Sequence, residues 1–340
     1  LQQIGTSVLS GLKEDRKSAF GGDLTRSVIF VVLAGGLIFF AVNGKLNVTY
    51  AAAGVAVLSF IDLIGVDLRF LNKDNYLPED EFMAPFAANA ADLQIKQDTS
   101  YYRVFDETSP ESARAAYHHN SVTGYHPAKL SLYNDVLTQQ IYKGNMKVFD
   151  MLNTKYFITQ NPQNGQPAVQ PNPNAFGPAW LVKSVKFVNN ADEEMKSLET
   201  VNLRDTAVLD KREQSKVTST PQFDSTATLK LDFNRNDLIQ YTSNSTTNQF
   251  AVFSEIYYPR GWKAFVDGKE TQIAKVDYLL RGLPLAPGKH VIEFRFEPDA
   301  FILGDKIGLV IGIISFLILA AAAWYEWKRY KSRGTVKVAS

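Results

Sequence analysis

Four places along the chain bring together side chains whose types and spacing suit chemistry. Tyr125, His126, Lys129 and Tyr133 set aromatic faces, an imidazole and an ammonium around an expected helix start, a combination suited to a sugar bearing a phosphate. Tyr125 and Lys129 stand at i and i+4 and share one face if the helix has begun there; otherwise the stretch is a solvated helix entry with Tyr133 packed on the strand at 101–105. Further on, Tyr257, Tyr258, Trp262, Arg281 and His290 suit a carbohydrate platform, since flat rings cover the C–H faces of sugars. Alternation sends Tyr257 and Tyr258 to opposite sides of a strand, so at least one of them belongs to a core.

His118, His119 and His126 form the one histidine cluster of the sequence. A metal site there needs them to converge with a carboxylate such as Asp106 or Glu107. Adjacent side chains diverge on a strand and on a helix alike, so no metal site is assigned. Asp62 and Asp67 flank the end of an apolar run, where interfacial anchoring explains them; a catalytic pair would need an opposed carboxylate. The substrate-binding candidates are therefore Tyr125, His126, Lys129, Trp262, Arg281 and His290, and no catalytic residue is assigned.

Whole classes drop out on composition. Lys+Arg 36 against Asp+Glu 35 leaves a net charge of +1, which gives nucleic acid no counterion-release drive. Cys 0 removes disulfides, thiolate metal sites and cysteine nucleophiles. No phosphate-cradling glycine loop, GxSxG elbow or HExxH helix occurs. A 45% hydrophobic content with Phe 22 and Tyr 15 argues for packed structure rather than disorder, and 340 residues allow about two soluble domains.

The elements that must position these residues begin in the bilayer. Residues 27–44 carry no charge, enough at about 1.5 Å per residue to cross a hydrocarbon core of roughly 30 Å. Residues 46–66 form a second span with one charge, Asp62, and 307–325 a third, closed by Trp324, Tyr325 and Trp327 and then Lys328, Arg329, Lys331 and Arg333. Residues 1–26 flank the membrane and 326–340 form a basic tail. Three spans put the chain ends on opposite sides. Basic residues nearly balance between Lys13, Arg16, Lys17 and Arg26 at one end and Lys328 to Lys337 at the other, with the denser cluster favouring a cytoplasmic tail. A start at Leu1 without a signal-peptide pattern reads as the C-terminal part of a longer protein.

Between the second and third spans lies one extramembrane body. Residues 67–215 read as an α+β domain: a charged collar over 68–81, a short helix at 83–93, strands at 101–105 and 155–159, helical stretches at 110–117, 128–142 and 146–152, a strand at 179–188, and a helix at 191–198 opened by Asn190 and Glu193 as a capping box. Residues 160–178, rich in Pro and Asn, read as a long flexible loop, either a mobile cover or an insertion. Residues 216–300 turn all-β, with short alternating segments and an Asp267-Gly268 hairpin signal. The fold class expected is integral membrane α-helices plus an α+β extracytoplasmic body ending in an antiparallel β-sandwich.

Five ordered segments carry a resemblance. FAVFSEIYYPRGWKAFVDGKETQIAKVDYLLRGLPLAPGKHVIEFRFEP at 250–298, together with EDRKSAFGGDLTRSVIF at 14–30, GYHPAKLSLYNDVL at 124–137, MLNTKYFI at 151–158 and AWLV at 179–182, resembles bacterial YfhO-type membrane proteins over nearly the whole chain. The resemblance implies the GT-C-like glycosyltransferase superfamily, a polyprenyl-phosphate sugar donor, a surface polysaccharide or teichoic-type polymer as acceptor, the bacterial cytoplasmic membrane as location, and a body outside it. It also implies a catalytic carboxylate in an upstream half that precedes Leu1, so whether this chain acts by itself as an enzyme stays open. Two functions are expected to compete: the acceptor- or donor-orienting portion of such an enzyme, and a non-enzymatic envelope protein that binds glycan or scaffolds a partner. The residues themselves disclose no cofactor.

Overall fold

The structure is a computed structural model that describes residues 2–334, with side-chain surroundings described for 9–331. Lys337 and the end of the basic tail lie outside the described residues. The chain divides into two compact units, Leu1–Pro85 and Phe86–Ser340.

The first unit is a helical hairpin. Helix α1 (Gln2–Val42) runs unbroken from the expected flanking segment into the first apolar run, with no proline to interrupt it. It stops where Gly44 takes φ +70° and Lys45 N–H reaches back to the Phe40 carbonyl at 2.9 Å, a left-handed C-terminal cap that glycine adopts without strain. Asn47 then caps helix α2 (Val48–Phe70), its side chain accepting from Thr49 N–H at 2.8 Å. The two helices pack at Gly54, where an added Cβ would lie 2.9 Å from Leu37. Their charges also pair, Arg26 with Asp62 at 3.2 Å and Arg69 with Asp23 at 2.5 Å. The single charge of the second span thus has an opposite partner on its neighbour, which makes a carboxylate at that depth tolerable. A short helix α3 (Glu79–Met83) follows. The helix expected over 83–93 is broken: Pro85 lies in a single turn, Ala84–Phe86, and Asn89 starts a separate helix.

That helix, α4 (Ala90–Ile95), opens the second unit, with Asn89 and Asp92 exchanging side-chain and backbone bonds at 2.8 and 2.9 Å. In order follow β1 (Arg103–Asp106), α5 (Arg114–His118), α6 (Ser131–Val136), which continues as a π-turn over Leu137–Ile141, α7 (Met146–Met151), β2 (Thr154–Gln160) and β3 (Pro167–Pro171). Strands β1 and β2 run parallel and β3 pairs antiparallel with β2. The expected loop 160–178 is thereby corrected: it contains half of a hairpin. Pro167 and Pro171 sit at the ends of an edge strand, where a missing N–H breaks no ladder, and Gly165 at φ +70° closes the turn by donating to the Asn161 carbonyl at 2.8 Å.

Next come β4 (Ala179–Val182), β5 (Ser184–Val188), α8 (Ala191–Thr200), β6 (Thr206–Asp210), β7 (Thr228–Asn234), β8 (Leu238–Ser245), β9 (Gln249–Ile256), β10 (Trp262–Val266), β11 (Lys269–Thr271), β12 (Ala274–Val276), β13 (Leu280–Leu285) and β14 (Gly288–Phe296). The single strand expected over 179–188 divides at Lys183, whose N–H turns to the Asp205 carbonyl at 2.8 Å. Strand β4 pairs with β9, while β5 pairs in parallel with β6 across α8. The boundary at 215/216 is crossed as a result, since β4 completes the four-stranded sheet β12-β13-β9-β4. A five-stranded antiparallel sheet, β11-β10-β14-β8-β7, lies beside it in the fold. Asn190 caps α8 as expected, but the Glu193 side chain returns to Asn189 N–H rather than Asn190 N–H.

Packing explains why β9 reads as an apolar run rather than alternating. Phe250 and Val252 face a cluster built with α6, α7 and α8, whereas Ala251 and Phe253 face Tyr241, Ile292 and Phe294 of the five-stranded sheet. A strand buried on both faces is apolar throughout. Phe253 stands 4.8 Å from both Tyr241 and Phe294, ring centre to ring centre. Helix α9 (Asp299–Gly334) leaves β14 after a short link and exposes apolar side chains all round, Phe316 and Leu319 among them.

Candidate functional site: a polar cleft against an edge strand

A cleft of about 810 Å³ lies between β7 and the segments 99–101, 153–155 and 172–178. Strand β7 ends the five-stranded sheet and pairs only with β8, so its other edge lines the opening. A register shift between Leu231 and Phe233 leaves Asp232 as the bulged residue. Its carboxylate accepts from Thr242 Oγ1 at 2.6 Å and Gln240 Nε2 at 3.3 Å. The opposite wall is fixed by buried Asn172, whose Nδ2 donates to Asp150 Oδ1 at 2.8 Å and to the Thr154 carbonyl at 2.9 Å.

At the inner end, the Tyr101 hydroxyl donates to Glu255 Oε1 at 2.9 Å and Asn234 Nδ2 approaches the same oxygen at 3.4 Å. Behind them Arg103 holds Glu255 Oε2 at 3.5 Å and the Leu152 carbonyl at 2.8 Å. Burial is the main reason the Tyr101 hydroxyl is pushed up to about 12, with nearby Glu255 adding to it against the opposing pull of Arg103. Lys155 on the rim is neutralised by Asp98 at 2.5 Å. Burial alone would raise the Asp98 pKa, but the bonds from Lys155, Ser100 and Tyr156 hold its carboxyl well below the usual carboxylate range. The cleft thus offers hydroxyl, amide and carboxylate oxygens, with Lys155 paired to Asp98 and Lys230 also on its lining, a set suited to a hydroxyl-rich chain.

The sequence-derived candidates do not assemble into this site. Tyr125, His126 and Lys129 are exposed and lie before α6, which begins at Ser131. The shared helical face is therefore absent, and the His126 ring instead accepts from Ala128 N–H at 3.1 Å. Tyr133 tucks its hydroxyl inward to donate to the Val122 carbonyl at 2.5 Å, and burial pushes it up to about 12. None of these residues lines the cleft.

The platform is divided as well. Arg281 is 2% exposed, lies 4.3 Å beneath the Trp262 ring and donates from Nε to the Ile256 carbonyl at 3.0 Å. Burial pulls its pKa down to about 10. Trp262 pairs across the sheet with Phe296. His290 sits at the other end of β14 against the hairpin turn, with Nδ1 2.6 Å from Asp267 Oδ2 and Nε2 3.1 Å from the Ala286 carbonyl. Both ring nitrogens face acceptors, and the Asp267 bond raises the pKa, so the ring is committed to the turn. Tyr258 stacks on Phe296 at 6.5 Å and Tyr257 lies against Lys216 at 5.7 Å.

His118 and His119 are structural too. His118 Nε2 donates to the Phe86 carbonyl at 2.8 Å, and His119 Nε2 donates to fully buried Asp92 at 3.1 Å. The cleft residues that sequence reasoning passed over did leave a signal: Arg103 and Glu255 are charges next to apolar runs, VF at 104–105 and FAVF at 250–253, and a buried charge requires a partner.

Long helices that are apolar on every exposed face, joined to a β-rich α+β body, define an integral membrane protein. Residues 197–308 match the family model described as bacterial membrane protein YfhO. An uncharacterized protein YfhO of Bacillus subtilis (strain 168) is 28% identical over 119 residues, which is 35% of this chain and 13% of that relative. No solved structure matches.

Proposed function

We propose that this chain is the C-terminal portion of a GT-C-like membrane glycosyltransferase, and that its body holds the acceptor polymer in the cleft beside β7. In this reading the body is extracytoplasmic, its two antiparallel sheets act as a sandwich, and the tail is cytoplasmic. An upstream portion supplies the catalytic carboxylate, the donor is a polyprenyl-phosphate sugar, and the acceptor is a surface polysaccharide or teichoic-type polymer. The sugar's bond to phosphate breaks as a bond to an acceptor hydroxyl forms, and the hydroxyl proton passes to the upstream carboxylate. The cleft carries the reading: about 810 Å³ is open beside a membrane-anchored fold, with Tyr101, Glu255 and Asn234 locked together at its inner end.

The test uses the full-length protein in membranes with a polyprenyl-phosphate sugar and surface polymer. Sugar transfer is expected, and Asn234→Ala with Asp232→Ala is expected to raise the acceptor KM about tenfold, as the loss of two polar contacts would. No transfer under conditions where a related protein succeeds would overturn it. A second reading, a glycan-binding scaffold without enzymatic activity, draws on the same lining, because most of its polar groups are bonded to one another rather than poised for proton transfer. Gene deletion separates the two: a missing sugar on the polymer fits the enzyme, unchanged composition fits the scaffold.

A further inference from the structure

Residues 70–83 combine regular backbone with no core. Phe70, Leu71, Tyr76, Leu77, Phe82 and Met83 are all exposed, Phe70 at 77%, Tyr76 at 67% and Phe82 at 60%. The turn at Lys73–Asn75 and helix α3 bury no side chain. The backbone is nevertheless well specified: Asn72 Oδ1 accepts from Asp74 N–H at 2.8 Å, Asn75 Oδ1 accepts from Asn72 N–H at 3.0 Å, and Phe82 N–H donates to the Pro78 carbonyl at 2.9 Å. A five-residue helix gains too little from its own hydrogen bonds to persist in water, so its apolar side chains must be covered by something outside the unit.

We propose that this segment is a collar seated in the headgroup layer of the bilayer, with Tyr76, Leu77 and Phe82 inserted and Asp74, Glu79, Asp80 and Glu81 in water. Helix α2 ends at Phe70, so the collar starts at the depth where a span meets the interface, and the apolar pairs Tyr76-Leu77 and Phe82-Met83 on either side of Glu79, Asp80 and Glu81 can enter that layer while the carboxylates stay in water. The inference rests on the membrane location and stands apart from the sugar-transfer reading.

The absence of cysteine makes the test direct. Single cysteines at Leu77, Phe82 and Asp80 of the full chain are spin-labelled after reconstitution into vesicles of phosphatidylcholine and phosphatidylglycerol, with unchanged circular dichroism confirming the fold. Labels at Leu77→Cys and Phe82→Cys are expected to collide several-fold more with oxygen than with a water-soluble nickel complex, and the label at Asp80→Cys to show the reverse. Water-like accessibility at all three positions would overturn the collar. Immobilised labels reached by neither reagent would overturn it too, since protein rather than lipid would then cover the segment.

Discussion

Asp277 shows how one side chain couples a turn to proton concentration. It is fully buried, takes φ +48°, and accepts Val208 N–H on Oδ1 at 2.8 Å, while Oδ2 is without a hydrogen-bond partner among the described atoms. Burial raises its pKa from 3.8 to about 8, with nearby Glu194 adding to the rise. A folded-state pKa above the unfolded one means the fold holds a proton the unfolded chain has released. The stabilisation is complete below about pH 4 and disappears as pH rises through about 8. Between pH 7 and 9 the full chain is expected to lose on the order of 1 kcal/mol, and Asp277→Asn, which keeps the acceptor for Val208, should flatten the denaturation midpoint across that range. A midpoint that falls equally in both proteins would contradict the assignment. Arg103 and Glu255 form a buried ion pair. Arg103→Ala is expected to cost about 3 kcal/mol by stranding the carboxylate, and Glu255→Gln in the same chain to restore part of it, read as thermal unfolding in detergent. These roles were half legible. The charges next to apolar runs show in the sequence, but a Glu at 255 and an Arg at 103 reveal their pairing only once β9 and β1 meet. Arg281 misled for the opposite reason: alternation does not say that a guanidinium will lie under Trp262 instead of beside it.

At the scale of elements, local signals held and tertiary choices did not show. Asp267 and Gly268 adopt φ +52° and +78° between β10 and β11, as a two-residue hairpin requires. Asn190 caps its helix because the cap is a bond between near neighbours. The split of 179–188 between two sheets was invisible, since Lys183 looks like any strand residue and only Asp205 determines where its N–H goes. Residues 160–178 hid a strand because their prolines are compatible with an edge, a position defined by the sheet and not by the segment. Gly282 is a sharper case. A Cβ there would lie 2.5 Å from Val276 and 2.8 Å from the Phe250 ring, so β13 can approach its neighbours only as glycine. Gly282→Ala is expected to destabilise the chain by about 1 to 3 kcal/mol, measured as thermal unfolding in detergent, and Gly268→Ala to cost about 1 kcal/mol for a different reason, since open space surrounds that position but φ +78° strains an alanine.

For the whole molecule, the membrane character was the most legible feature, because three long apolar runs need no tertiary information to be recognised. The cleft was the least legible, because its walls come from segments more than a hundred residues apart, Tyr101 and Asn234 among them. The measurement that bears most directly on the central claim is equilibrium binding of a surface-polymer oligosaccharide to the full chain in detergent micelles. Saturable binding is expected, weakened at least tenfold by Asn234→Ala with Asp232→Ala and unchanged by Tyr125→Ala with Lys129→Ala. Absence of binding, or binding indifferent to the cleft substitutions, would contradict the account.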